Sequence, residues 1–221
     1  MQFRLHLLTM LFATLRDVTK IQARASALKK LKEDETMASL IERFGDYSWE
    51  LNTPFATLAR AISGQVVSGR AAKTAYKRLK EATGLEPQPI AEMPIDDLKT
   101  FGLNDRRAEY LRNAAEFASE GGLASIEKLD DEEVQKKLTS VKGIGPWTAH
   151  MFLIFCLGRL DVWPTEDFGV VNIAKELYGV EGKKELRELG ERFSPYRSVA
   201  VWYMWALVVS RQRRGESGYR V

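Results

Sequence analysis

The stretch EEVQKKLTSVKGIGPWTAHMFLIF, Glu132 to Phe155, decides how the rest of the chain is read. It reads as helix, glycine turn, helix, with two glycines one residue apart and a proline directly after them. A tight antiparallel corner would use glycine for its positive φ. Gly143 and Gly145 also strip side chains from the turn, and Pro146 opens the next helix where a missing donor costs nothing. Backbone N–H groups from Gly143 to Trp147 then point outward at a helix N-terminus, which is a way of holding phosphate. Lys142 adds a cation, and Ala149 lets the two helices approach closely. Lys142, Gly143, Gly145 and Thr148 are therefore the candidate phosphate contacts.

The bulk numbers constrain the rest. A chain of 221 residues fits one domain, or two small subdomains sharing a core. The single Cys, Cys156, excludes an internal disulfide framework and a Cys-rich zinc or iron–sulfur site, and two His make a His-based catalytic metal unexpected. A net charge of +3 permits nucleic-acid binding without arguing for it. Acid clusters at EKLDDEE (127–133), while bases cluster at SGRAAKTAYKRLK, NDRRAEYLR and RQRR; the plainest reading of any one run is a solvated helix face. The opening MQFRLHLLTMLFATLRDV is too short an apolar run to span a bilayer and lacks a small-residue cleavage pattern. It is expected to pack on the domain as a helix or to reflect the choice of start site. The chain is expected to be intracellular, in the cytoplasm or nucleoid of a prokaryote or the nucleus of a eukaryote, with no membrane partner.

Nothing sustains the period-2 alternation of strands, so the fold class is all-α, with roughly ten short helices. Thr53 and Pro54 start one helix, Gly84 ends another, Asn104 or Asp105 caps a third, and three prolines in LEPQPIAEMP (85–94) mark a connection.

Downstream of the glycines, GRLDVWPTEDFGVV (158–171) places Asp167 at the start of a helix. Thr165 or Asp167 would serve there simply as a cap. A carboxylate near DNA is repelled by phosphate, so a functional Asp167 needs a purpose. One purpose is to face the positive charge that develops on a sugar as an N-glycosidic bond breaks.

The segment LTSVKGIGPWTAHMFLIFCLGRLDVWPTEDFGV (138–170) looks like a helix-hairpin-helix, a module that grips DNA backbone without reading sequence. It resembles the helix-hairpin-helix–Gly/Pro–Asp superfamily of DNA base-excision glycosylases, and within it is most similar to the DNA-3-methyladenine glycosylase II group. FATLARAISGQVVSGRAAKTAYKRL (55–79) and FSPYRSVAVWYMW (193–205) agree, so the resemblance covers about Leu51 to Arg211.

The resemblance implies two helical subdomains flanking a DNA-binding cleft: about 50–158, including a hairpin at 131–158, and about 1–49 plus 159–221. It implies Asp167 as the catalytic carboxylate, with Glu166 a lesser candidate. Trp147 stands where bifunctional relatives carry a Schiff-base lysine, which implies a monofunctional enzyme that leaves an abasic site. Val66 would be the wedge filling the space of the flipped base, with Gln65 contacting the opposite side of the lesion. Alkylated purines such as 3-methyladenine and 7-methylguanine are cationic leaving groups that an aromatic pocket attracts; Trp147, Tyr196 and Trp163 are its candidates, with Trp202 behind them. His150 reads as structural. Family members often hold a monovalent cation, Na+ or K+, through main-chain carbonyls, here those of Thr139, Val141 and Ile144. No cofactor is otherwise implied, the iron–sulfur loop of some relatives is excluded by the single Cys156, and a monomer acting on damaged double-stranded DNA is expected.

Three other readings stay open. A sister enzyme would excise uracil, hypoxanthine or an oxidised base. A non-catalytic module would keep the hairpin only to grip phosphate, and a helical protein-interaction domain would not bind DNA at all.

Overall fold

The computed structural model describes residues 24–65 and 69–214, and among these it is helical throughout, with no strand. The apolar opening lies outside the described residues, and so do Val66 and Ser68. Residues 24–31 form α1. There follow α2 (Glu35–Phe44), α3 (Pro54–Gly64), α4 (Gly69–Thr83), α5 (Pro87–Glu92), α6 (Ile95–Thr100) and α7 (Asp105–Ser119). After a 3₁₀ turn at Ile126–Lys128 come α8 (Asp131–Thr139), α9 (Pro146–Phe155), α10 (Phe168–Tyr178), α11 (Lys183–Phe193) and α12 (Arg197–Arg214).

Local chemistry sets these boundaries. Pro54 opens α3, and Asn104 caps α7 by accepting the Arg107 N–H at 2.9 Å. Asp130 and Glu133 form a reciprocal capping box at the start of α8, which accounts for part of the acidic cluster. Gly84, at φ 62°, ends α4 with its N–H on the Lys80 carbonyl.

Buried side chains fall into two clusters. One, from Phe55 to Val162, gathers α3–α9 around Leu58, Ile62, Leu111 and Phe152. The other joins α1 and α2 to Trp163 and α10–α12 around Met37, Ile173, Phe193 and Tyr203. The protein thus has two helical subdomains, the second built from both sides of the first in sequence. α9 is apolar on nearly every face, with six of its ten residues buried, because it lies at the centre of the first cluster. Trp49 and Trp205 pack against both clusters and mark the seam between them. No helix among the described residues is long and apolar enough to cross a membrane.

Candidate active site

The hairpin joins α8 to α9. Its turn closes through Val141 N–H on the Leu138 carbonyl and Ile144 N–H on the Val141 carbonyl. Two side-chain amides from elsewhere hold it: Asn113 of α7 donates to the Lys142 carbonyl at 3.1 Å, and Gln65 donates to the Gly143 carbonyl at 3.0 Å. With those carbonyls turned inward, the N–H groups of Gly143 and Gly145 make no hydrogen bond to any described residue. The two glycines have different causes. A Cβ on Gly143 would lie 2.2 Å from the Tyr110 ring, and its φ of +101° disfavours other residues. A Cβ on Gly145 would meet nothing within 4 Å, and its φ is −96°. Nothing inside the protein requires a glycine at 145.

Asp167 is the N-cap of α10, its Oδ1 accepting the Val170 N–H at 2.8 Å. The same oxygen accepts the Trp205 indole N–H at 3.0 Å, and Oδ2 accepts the Trp147 indole N–H at 2.7 Å. Three donors from three parts of the chain converge on one buried carboxylate. The loop leading to it is pinned to the start of α12. The fully buried Ser198 donates its hydroxyl to the Arg159 carbonyl, accepts the Val162 N–H at 2.9 Å, and bonds the Leu160 carbonyl through its own N–H. Arg197 grips both oxygens of Asp161 at 2.8 and 2.9 Å. Burial works to raise the Asp161 carboxyl pKa, but the Arg197 bonds prevail and hold it below the ordinary value.

Two cavities share Trp147 as a wall. A groove of about 900 Å³ runs along the hairpin past Gly64, Gln65, Tyr110, Gly145, Glu166 and Phe168. A deeper pocket of about 390 Å³ lies between α3, α4 and α9, with Trp147, Met151 and Phe155 along one side. Of the two indoles that grip Asp167, Trp147 lines this pocket directly, and Trp205 stacks behind Phe155, one of its walls, at 5.5 Å between centroids.

Residues 59–195 match the HhH-GPD superfamily of base excision DNA repair proteins. The chain belongs to that superfamily. It is 30% identical to DNA-3-methyladenine glycosylase 1 of Schizosaccharomyces pombe, over 85% of this chain and 86% of that protein. The fold superposes on the S. pombe 3-methyladenine DNA glycosylase solved with abasic DNA at a TM-score of 0.75 and 29% identity, covering 81% and 95% of the two chains. It superposes on 3-methyladenine DNA glycosylase from Archaeoglobus fulgidus at 0.73 and 26% identity, covering 83% and 69%.

Within this HhH-GPD fold the candidate residues separate. Asp167 and Trp147 meet directly, and Asp167 is at once cap and carboxylate of the site. Trp163 does not join them. It packs against Phe193 and the bare face of Gly190 in the second cluster, and its indole N–H is taken by the Leu186 carbonyl, so it is core rather than pocket. Tyr196 also falls away. It precedes α12, packs on the second cluster, and lines neither cavity. Trp202 gives its N–H to the Ser48 carbonyl. The Thr148 hydroxyl is buried and accepts the Gln65 amide at 3.1 Å, so this side chain is not a phosphate contact. Gln65 is committed to the hairpin by two bonds rather than standing free for a lesion. Lys142 is exposed beside the turn and paired with Glu109 at 2.5 Å. His150 is nearly buried on α9, its Nδ1 lying 3.6 Å from Glu166 Oε2.

Two residues of the site escape a reading of the sequence. Trp205 sits in an apolar helix where nothing local distinguishes it from core. Phe168, the residue after Asp167, is 55% exposed on the hairpin groove, and a large apolar side chain in open water beside an acid is the available signal.

Proposed function

We propose that the protein is a monofunctional DNA glycosylase that hydrolyses the N-glycosidic bond of alkylated purines in base excision repair. The observation that carries this reading is the Asp167 carboxylate, held by two indoles, one of which, Trp147, lines an aromatic pocket, and set beside a hairpin with bare backbone. The names of the relatives support the same substrate class.

DNA lies along the groove with its backbone on the Gly143–Gly145 turn, as phosphate on free N–H groups. The damaged nucleotide is turned out of the stack, and Val66 fills the gap. Its purine enters against Trp147, Met151 and Phe155, where the electron-rich indole face attracts a cationic base. As the C1′–N bond breaks, its electron pair leaves with the base and positive charge develops on the sugar. Asp167 faces that charge without reorganising, because its donors already fix it. Water then attacks C1′ and gives up a proton, leaving free base and an abasic site. A cationic base departs with little acid help. Trp147, where bifunctional relatives carry lysine, forms no Schiff base, so the strand stays intact. The protein acts as a monomer on damaged double-stranded DNA, inside the cell wherever that DNA resides.

Thr139 ends α8, and carbonyls at that negative helix end suit a hard cation. With those of Val141 and Ile144 they would hold Na+ or K+, which would supply positive charge near a bound phosphate.

The test is release of 3-methyladenine or 7-methylguanine from methylated duplex without strand cleavage. Release of uracil, hypoxanthine or an oxidised base instead would transfer the assignment to a sister activity, and binding without any release would leave a DNA-gripping module.

A further inference from the structure

The deeper pocket carries two cations that the reaction does not use. Arg60 of α3 and Lys73 of α4 line it opposite Trp147, Met151 and Phe155, and both are exposed at its rim. Among the described residues no acid lines this cavity. Neither residue forms an ion pair with any described residue, whereas Lys77 on the same helix pairs with Glu81. Arg60 also acts on Tyr76, which lines the same pocket: burial raises the phenol, and the guanidinium opposes it.

Two unpaired cations beside a pocket for cationic bases would repel the substrate unless an anion neutralises them. The anion that a DNA substrate brings is phosphate. The rim also lies where the strand must pass. Gly64, which ends α3, and Gly69, which starts α4, line the same pocket, so a nucleotide entering it draws its flanking phosphates across α3 and α4. A pocket of about 390 Å³ has room for a purine and part of its sugar.

We propose that Arg60 and Lys73 form a second phosphate clamp, across the pocket from the hairpin, which engages the backbone flanking the extruded nucleotide. It rests on the reading of the protein as a base-flipping DNA glycosylase. The clamp screens the pocket only when DNA is bound, so that the same phosphates that guide the nucleotide inward also cancel the charge that would turn a cationic base away.

The test measures affinity of the full-length chain for a duplex carrying a stable tetrahydrofuran abasic analogue, by anisotropy across a salt series. The double variant Arg60→Gln/Lys73→Gln is compared with the wild type and with Lys77→Gln/Lys80→Gln on the same helix. The clamp predicts that the log–log salt slope of Arg60→Gln/Lys73→Gln becomes shallower by about 1.8, at about 0.9 for each phosphate no longer neutralised. The control pair keeps the wild-type slope, and undamaged duplex shows a smaller change than the abasic analogue. All four positions are exposed, and matching melting temperatures confirm that the folds are intact. An unchanged slope for Arg60→Gln/Lys73→Gln overturns the clamp, as does an equal change on undamaged duplex or in the control pair. A wild type that does not bind either duplex overturns the clamp and the glycosylase reading together. A shallower slope in a protein that releases no alkylated base keeps the clamp and removes that reading; release with an unchanged slope does the reverse.

Discussion

Trp205 donates its indole N–H to Oδ1 of Asp167 at 3.0 Å although the two lie 38 residues apart. Trp147 holds the other oxygen at 2.7 Å, and the amide of Val170 completes the grip. Neutral donors fix the direction of a carboxylate without cancelling its charge, so on the proposed reading the anion is already aimed when a sugar arrives.

Replacing Trp205 by Phe keeps a ring against Phe155 and removes only the N–H. Turnover is expected to fall about tenfold, near the worth of one hydrogen bond to a charged group, with KM little changed. Steady-state kinetics on methylated duplex decide it. Wild-type kcat in Trp205→Phe would show that the grip does not act on the reaction.

Asp167→Asn keeps an oxygen for the Val170 and Trp205 donors but sets an amide N–H₂ against the Trp147 N–H. Base release should drop by at least about 100-fold, while the melting temperature falls by only a few degrees. Glu166→Gln should retain turnover, since that carboxylate is exposed on the groove and accepts neither indole N–H, both of which go to Asp167. Equal losses in the two variants would remove Asp167 from its assigned role.

The glycines should come apart under mutation. Gly143→Ala forces a methyl into the Tyr110 ring from a left-handed backbone and should cost about 3 kcal/mol or more in urea unfolding. Gly145→Ala should unfold within about 0.5 kcal/mol of the wild type yet bind DNA more weakly, because its methyl occupies the space kept for phosphate. Unimpaired DNA binding by Gly145→Ala would sink the backbone-approach account.

Stability should carry a signature of His150. Burial holds its pKa below the ordinary 6.5, with Glu166 pulling the other way. Below pH 6.5 the unfolded chain therefore takes up a proton that the folded one refuses. Stability is lost as pH falls from 6.5 towards the folded pKa, and the residue contributes nothing above 6.5. His150→Gln should flatten this part of the profile and Glu166→Gln should steepen it, as read from urea midpoints between pH 5 and 8.

What could be read from the sequence was what is encoded locally. The hairpin and the Asp167 cap are short-range patterns in which residue type and spacing already state the backbone chemistry. Trp205, Trp163 and Tyr196 are a different matter. Each is an aromatic in or beside an apolar helix, and whether its ring faces core or pocket depends on partners such as Leu186, Gly190 and Asp167 brought from elsewhere. The same holds for the glycines. Gly143 answers to Tyr110 on α7, a neighbour that only folding supplies, so the pair looks alike in sequence while only Gly145 has open space where a side chain would start.

The seam between the two clusters has a consequence for how such a protein can change. Trp147 belongs to the first subdomain, α10 with Asp167 to the second, and Trp205 packs on both. Neither half alone holds the Asp167 carboxylate with all three of its donors. Substitutions deep in either core could thus silence the chemistry by shifting how the halves mate, with every residue of the pocket left untouched. Inheritance of activity is tied to the pairing of two hydrophobic cores, and one half cannot be exchanged for a relative's without the other being retuned to meet it.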